Sequence, residues 1–442
     1  MTLAPRSERI KLAFELGAAA CVAPLVGWLF WAFALHLGPN DFHDYWLAGK
    51  LLLEGRSPYD AHAMAALAAR EHLSFSLGGG YSYPLPFALA MVPLATLPFD
   101  TAAAIFGVVS LAAFGATVAG WLLVAAPDRV ALAERRRLLS VAFAAGLYPP
   151  IYGSLAMGQA NLLLLPLLAA GLWLAVRRTR STAGGLFIGL TAIVKLVPGA
   201  LVVPLALGRR WAAVAGLVLA AAVAMGLAAL AAPSALAGSG GLASNLDADP
   251  FYSNQSINGF VSRLVLDAAK SRAILPGAFD PGIVMAALTS LLAIATLAVL
   301  WRGRGIAASN AAGLATAVAF TLTAATIGAP KTSFWNESFL LAGVALVLAF
   351  DAPDLRLSRL SAFDRRALAL WLGSAVAWAV LWAIEPSPDG SLSAAINLAW
   401  SASLAGMLAL WWMLARRLLG RPPLDGPNGG APPQTADGST IS

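Results

Sequence analysis

Long apolar runs alternate along this chain with short polar stretches, and their lengths set the first expectation. Apolar segments fall at about 12–37, 101–126, 138–153, 160–176, 183–194, 197–208, 211–232, 281–301, 306–328, 337–350, 367–384 and 392–415. A helix needs about 20 mostly apolar residues to cross a bilayer. The pattern therefore predicts an all-α polytopic membrane protein with about 12 transmembrane helices. Barrel strands alternate apolar and polar positions, and the unbroken apolar run 211–232 excludes them. Segment 84–98 is short and broken by Pro84, Pro86, Pro93 and Pro98, so it reads as half-inserted or interfacial, with Asp100 capping the helix that follows. The short pair 183–194 and 197–208, with Lys195 between them, reads as a hairpin that enters the membrane without spanning it.

Composition and charge turn this pattern into a topology. Of 442 residues, 59% are apolar and 12% charged, against roughly 25% charged in soluble chains. The net charge of +7 is spread among the connections instead of being gathered beside aromatics, so it marks orientation and not nucleic-acid binding. With the N-terminus cytoplasmic, 21 of the 29 Lys and Arg fall on the cytoplasmic side, including Arg6, Arg9, Lys11, Arg129, Arg135–Arg137, Arg356, Arg359 and Arg421. Residues 1–11 then form a cytoplasmic N-terminus, 12–417 a membrane domain, and 418–442 a Pro- and Gly-rich cytoplasmic tail expected to be disordered. The basic-then-apolar start resembles a signal peptide, but its apolar stretch is too long, so it reads as the first membrane helix. The single Cys21 lies inside that helix as a packing residue.

This orientation leaves loops 39–83, 148–161, 233–280 and 329–337 on the outer side, and they hold most of the unusual polar residues. The first contains two amphipathic helices, whose Tyr45, Ala48, Leu52 and Trp46, Gly49, Leu53 stripes suit a membrane surface; Gly55 stops the first, and Asp60 starts the second. Asp41, just after the first membrane helix, is either a helix N-cap or a catalytic carboxylate, while Asp44 reads as solvated and Asp60 as a cap. Gln159 and Asn161 are substrate ligands or helix-packing groups, and Lys195 is a functional intramembrane charge or a snorkelling lysine. Asn254, Gln255, Ser256 and Arg263 suit sugar hydroxyls or a phosphate, whereas Asp247 and Asp249 are a weak metal-binding pair. Lys331, Trp335, Asn336 and Glu337 stand at an outer helix entrance, with Trp335 also readable as an interfacial anchor and Glu337 as a second carboxylate near the site. No phosphate-cradling loop, dinucleotide fingerprint or nucleophile elbow occurs, and His36, His43, His62 and His72 lack zinc spacing, so neither metal nor cofactor is expected.

The ordered set Asp41-Phe-His-Asp-Tyr45, Ala48, Gly55, Pro58-Tyr59-Asp60, Tyr83-Pro84-Leu85-Pro86-Phe87, Gly158-Gln159-Ala160-Asn161, Gly189-Leu190, Lys195, Pro198, Asn254-Gln255-Ser256, Gly259 and Arg263-Leu264 resembles glycosyltransferase family 87 over roughly residues 38–340. That family is similar to GT-C membrane glycosyltransferases, which use polyprenyl-phosphate sugars. The resemblance implies a GT-C-like fold and an inverting transfer of a sugar, mannose foremost, from a lipid-linked donor to a glycolipid or glycan acceptor, on the extracytoplasmic face of a bacterial cytoplasmic membrane. It raises Asp41 as general base, with Lys195, Arg263 and Lys331 to receive the leaving phosphate, and it brings Tyr45 and Tyr59 among the substrate-binding residues. The family often has a histidine after the tryptophan near the last outer loop. Here Asn336 and Glu337 stand in its place, and one of them is expected to take over part of its contact with sugar or phosphate.

Two other classes compete with the transferase. A transporter or flippase needs polar groups near the midplane and access from both faces, and an assembly protein needs no reactive carboxylate. The one-sided placement of the polar residues and the absence of internal repeats favour the enzyme.

Overall fold

The computed structural model describes residues 6–34, 40–73, 81–125, 132–178, 180–237, 246–351, 358, 360–384 and 386–420. His36, Arg129, Arg356, Arg359 and tail residues 421–442 lie outside these.

The described residues are helical throughout, with only isolated bridges between extended residues. In chain order the helices are α1 (Arg6–Ala34), α2 (Asn40–Leu53), α3 (Ala61–Arg70), α4 (Leu85–Ala95), α5 (Phe99–Ala125), α6 (Leu132–Gly146) and α7 (Pro149–Ala156). Then come α8 (Asn161–Arg177), α9 (Thr182–Ala192), α10 (Val202–Leu207), α11 (Trp211–Ala231), α12 (Pro233–Ala237) and α13 (Ile257–Val265). The last third holds α14 (Pro281–Arg302), α15 (Arg304–Ser309), α16 (Ala311–Gly328), α17 (Ser338–Asp351), α18 (Ala362–Ile384), α19 (Ser393–Ala399) and α20 (Ala402–Leu418). Tight 3-10 turns at Val197–Leu201 and Phe334–Glu337 precede α10 and α17.

Seven of these elements are long and apolar enough to cross a membrane, or nine if each of two bent pairs counts as one crossing. The protein is thus an all-α polytopic membrane protein, and the 12 expected segments resolve into fewer full crossings plus shorter pieces. The segment expected at 138–153 is bent by 53° between α6 and α7, where Pro149 and Pro150 cannot donate to the preceding turn. The segment expected at 392–415 bends by 41° between α19 and α20, and Asn310 separates α15 from α16 inside 306–328. Four apolar pieces, α4, α8, α9 and Val197–Leu207, have only 10–17 residues. Asp100 does not cap α5; it lies in that helix's first turn, and Pro98 supplies the carbonyl that opens it.

Basic residues tie several helix ends together. Arg135 pairs with Glu15, joining the starts of α6 and α1. Arg210 donates to the Val176 carbonyl at 2.9 Å, and the Arg177 guanidinium lies 5.7 Å from the Phe350 ring. Arg417 pairs with both Asp351 and Asp364, tying the ends of α17 and α20 to the start of α18. The candidate residues at the starts of α8 and α17 are a helix length away, about 20–25 Å at 1.5 Å per residue.

Small residues let the helices approach closely where no polar contact would hold them. A methyl group on Gly185 of α9 would meet the Ala213 carbonyl at 1.8 Å, and one on Gly216 of α11 would meet the Thr182 carbonyl at 2.2 Å.

The first outer loop corrects one expectation. α2 and α3 form as predicted, and α2 ends in a Schellman motif: Gly55 at φ 69°, Arg56 N–H on the Leu51 carbonyl and Gly55 N–H on that of Leu52. Asp60 caps α3 by accepting from Ala63 N–H at 3.0 Å. The apolar stripe of α2 does not lie on a membrane surface, however. Tyr45, Trp46, Leu47, Ala48 and Leu51 are buried in the protein core, where Phe42 and Trp46 pack on Phe99 and Tyr45 on Phe87. Trp46 also donates its indole N–H to the Leu97 carbonyl at 3.1 Å. α2 is held rigidly, and its polar face turns elsewhere.

Candidate active site

Asp41 sits in the first turn of α2, where the helix dipole favours a carboxylate, and its N–H donates to the Met157 carbonyl at 3.0 Å. That bond docks α2 on the end of α7. There Gly158 adopts φ 64°, its N–H bonds the Leu155 carbonyl, and Gln159 N–H bonds that of Ser154 at 2.8 Å. This is again a helix stop that needs a residue without Cβ strain. Its effect is to turn Gln159 out of α7, one residue before Ala160 caps α8.

The Gln159 amide joins two of the site's charges, Asp41 and Lys195. Its Nε2 donates to the Asp41 carboxylate, and its Oε1 accepts from Lys195 Nζ at 2.9 Å. Only this orientation of the amide serves both ions. Lys195 stands in the break after α9, its N–H bonded to the Thr191 carbonyl, and Pro198 opens the next turn. Its ammonium also donates to the Tyr83 hydroxyl at 3.1 Å and to Asn336 Oδ1 at 3.2 Å. Tyr45 completes the cluster, with its hydroxyl 2.9 Å from that of Tyr83 and 3.1 Å from Gln159 Oε1. Burial raises both phenols above their ordinary range, so they remain neutral donors. Burial also pushes the Asp41 carboxyl up to about 6, with Lys195 and the Gln159 amide pulling it back.

These groups border one cavity of ≈ 390 Å³, walled by Asp41, Asp44, Ser82, Tyr83, Gln159, Lys195, Lys331, Thr332, Ser333 and Asn336 among others. Of the residues expected from sequence, it collects Asp41, Gln159, Lys195, Lys331 and Asn336. Leu196, Val197, Ala329 and Pro330 belong both to its wall and to that of an apolar groove of ≈ 430 Å³ running between α14, α16 and the Val197–Leu201 turn. A polar chamber thus opens beside an apolar one.

Other expected site residues support this chamber without lining it. Tyr59 donates to the Tyr83 carbonyl at 2.9 Å, and Asn161 is buried, donating to the Trp335 carbonyl at 2.9 Å and to Asn336 Oδ1 at 3.2 Å. Asn254 Oδ1 accepts from Thr332 N–H at 3.1 Å and from Ser256, while the Gln255 side chain donates to the Tyr252 and Trp400 carbonyls. Arg263 is 0% exposed and is spent on the Phe251 and Asn254 carbonyls at 2.9 Å and the Ser401 hydroxyl at 2.6 Å. It is therefore a structural cation, not a phosphate ligand. Trp335 is no interfacial anchor, since it is buried against Trp382 with ring centres 5.9 Å apart. Glu337 points away from the cavity, into the core, where it accepts from Ser403 at 2.6 Å and Tyr148 at 3.4 Å. Of the two residues in the place of the family histidine, Asn336 alone reaches the site. Asp249 is turned into its own loop, accepting from Phe251 N–H at 3.1 Å.

Sequence reasoning missed Asp44, Ser82, Tyr83, Thr332 and Ser333 of the wall. Tyr83 was visible only as the tyrosine before Pro84, and Asp44, expected to be solvated, is half-buried in the cavity wall. Its spacing of three from Asp41, which puts both on one face of a helix, was the available signal.

No curated protein matches the chain. The sequence profile of glycosyltransferase family 87 matches residues 81–326, more than half of its length, and takes in Tyr83, Gln159 and Lys195. With this match over an all-helical membrane bundle, the chain belongs to glycosyltransferase family 87.

Proposed function

We propose that this glycosyltransferase moves a sugar, mannose in the favoured reading, from a polyprenyl-phosphate donor to a hydroxyl of a glycolipid or glycan acceptor, with inversion. The observation that carries the reading is a chamber walled by a carboxylate and two lysines beside an apolar groove that shares Leu196, Val197, Ala329 and Pro330 with its wall. The groove suits the prenyl chain, because it shares walls with the lysine-bearing chamber where the attached phosphate would stop.

The acceptor oxygen attacks the anomeric carbon from the side opposite the phosphate, and the bond from that carbon to the phosphate oxygen breaks with its electron pair. Asp41 takes the hydroxyl proton. Its raised affinity for protons makes it a stronger base than an ordinary carboxylate while leaving it ionised at neutral pH. Gln159 holds one oxygen and leaves the other for the incoming proton. Lys195 is held by neutral oxygens of Gln159, Tyr83 and Asn336, which position the ammonium without cancelling its charge. It stabilises the departing phosphate, with Lys331 as a second cation on the cavity wall. The basic ends of the bundle face the cytoplasm on this reading, so the chamber opens on the extracytoplasmic side of a bacterial cytoplasmic membrane.

Purified protein in proteoliposomes, given radiolabelled polyprenyl-phosphate mannose and a lipid extract, tests the proposal. Labelled glycolipid should form, and its rate of formation should fall at least about a hundredfold with Asp41→Asn at equal protein abundance. A panel of donors with other sugars identifies the one transferred. Sugar movement across the bilayer without a new glycosidic bond would instead establish the transporter.

A further inference from the structure

Asp41 and Asp44 lie one turn apart on α2, and both face the cavity, yet their circumstances differ. Asp41 accepts from Gln159 and lies beside Lys195. Among the described residues no side chain donates a hydrogen bond to Asp44. Its electrostatic neighbours are Asp41, Tyr45, Tyr81 and Tyr83, and Ser82 shares its wall. Both of its oxygens are therefore open to a bound molecule. A phosphate is the wrong partner for Asp44, since a third negative group beside Asp41 and Asp44 would be repelled. Vicinal hydroxyls fit, because each can donate to one carboxylate oxygen while the neighbouring Tyr83 and Ser82 hydroxyls offer further polar contacts.

We propose that Asp44 is a specificity-determining residue that binds a pair of vicinal hydroxyls on a sugar in the cavity, leaving proton removal to Asp41. Burial and the Asp41 charge push its carboxyl up to about 7. The inference rests on the transferase reading of this cavity. The hydroxyls belong either to the acceptor or to the sugar being transferred, and kinetics separates the two.

The test uses the full-length protein in proteoliposomes with polyprenyl-phosphate mannose as donor and octyl α-mannoside as acceptor. Asp44→Asn should raise one KM by about 10- to 100-fold, the worth of a hydrogen bond to a charged group, with kcat changed less than threefold. A rise in acceptor KM places the acceptor sugar on Asp44, and a rise in donor KM places the transferred sugar there. Monodeoxy analogues of both substrates give a second readout on the unaltered protein: removal of one bound hydroxyl should cost a similar factor, and that cost should disappear in Asp44→Asn. Unchanged kinetic constants overturn the inference. So does indifference of the wild type to every monodeoxy analogue, and so does a loss of kcat as deep as that of Asp41→Asn. Calorimetric binding of octyl α-mannoside is measured in parallel. Binding lost in Asp44→Asn by a protein that transfers no sugar would sink the transferase reading and leave only sugar binding at Asp44, whereas a wild type that neither binds octyl α-mannoside nor transfers sugar removes both.

Discussion

Asp41→Asn is the sharpest perturbation because the structure accepts it while the chemistry does not. The asparagine carbonyl can still accept from the Gln159 amide, and the docking bond from residue 41 N–H to the Met157 carbonyl belongs to the backbone. What disappears is the oxygen proposed to take the acceptor's proton. Positioned general bases contribute roughly 10²–10⁴-fold, which at about 1.4 kcal/mol per tenfold step is ~3–5 kcal/mol of barrier. Initial rates of label transfer should fall by that factor at unchanged protein abundance, with donor KM within about threefold because Lys195, Tyr83 and Asn336 remain. The pH profile supplies an independent check. Burial lifts Asp41 from 3.8 to about 6, and a base works only when deprotonated. At saturating substrate the wild-type rate should therefore rise with pH through about 6, level off above it, and be lost as pH falls below it; this limb should be missing from the residual rate of the variant. A loss smaller than tenfold, or the same acidic limb in both proteins, refutes the assignment.

Three further outcomes are expected. Lys195→Met keeps most of the side chain's length but removes the charge proposed to face the leaving phosphate, so kcat/KM should fall about 10²–10³-fold, and a change under threefold in the transfer assay contradicts the role. Gly158→Ala forces a Cβ into φ 64° at a cost of roughly 1–2 kcal/mol; the unfolding temperature should drop and transfer should weaken as Gln159 shifts, with Gly158→Asn milder on both measures. Arg263→Met removes three buried hydrogen bonds at a cost of roughly 2–4 kcal/mol. Thermal unfolding in detergent should detect that loss, while kcat per folded molecule stays within about twofold. A selective loss of donor binding would return Arg263 to the phosphate site.

The class of fold was legible because it rests on segment length and composition, which the bilayer constrains directly. The breaks were less so. Proline at 149 and 150 marks the bend between α6 and α7, but nothing as plain marks the one at Trp400 and Ser401. Within the site, Asp41, Gln159 and Lys195 could be picked out because each is a polar group at an unlikely place beside apolar runs. The same logic failed for Arg263, Trp335 and Glu337. A polar side chain near a helix mouth can face the cavity or the core, and the choice is made by partners remote in sequence: Ser401 for Arg263, Trp382 for Trp335, Ser403 for Glu337. Asp44 failed in the opposite direction, because the burial of the neighbouring Tyr45 and Trp46 pulls it into a wall that the periodicity of α2 assigned to water.

Those remote partners also explain why a cavity wall made of loops can be exact enough for chemistry. The stretch 330–336, which carries Lys331 and Asn336, has no long helix of its own. It is fixed from behind: Gln255 N–H bonds the Thr332 carbonyl at 2.7 Å, Phe334 N–H bonds the Ser253 carbonyl at 2.8 Å, and Asn254 Oδ1 takes Thr332 N–H. Arg263 then clamps the Asn254 carbonyl to Ser401. On the other side, Ser154 and Asn161 both donate to the Trp335 carbonyl. Loop 251–256 and the start of α8 therefore grip the same short turn from two directions, and Asn336 emerges between them at 3.2 Å from the Lys195 ammonium. A donor that gains rate by stabilising a departing phosphate must be in place before the bond breaks. The buried polar residues that touch no substrate are what keep it there, which is why changes in them should act first on stability, and changes in Gln159, Lys195 and Asp41 first on turnover.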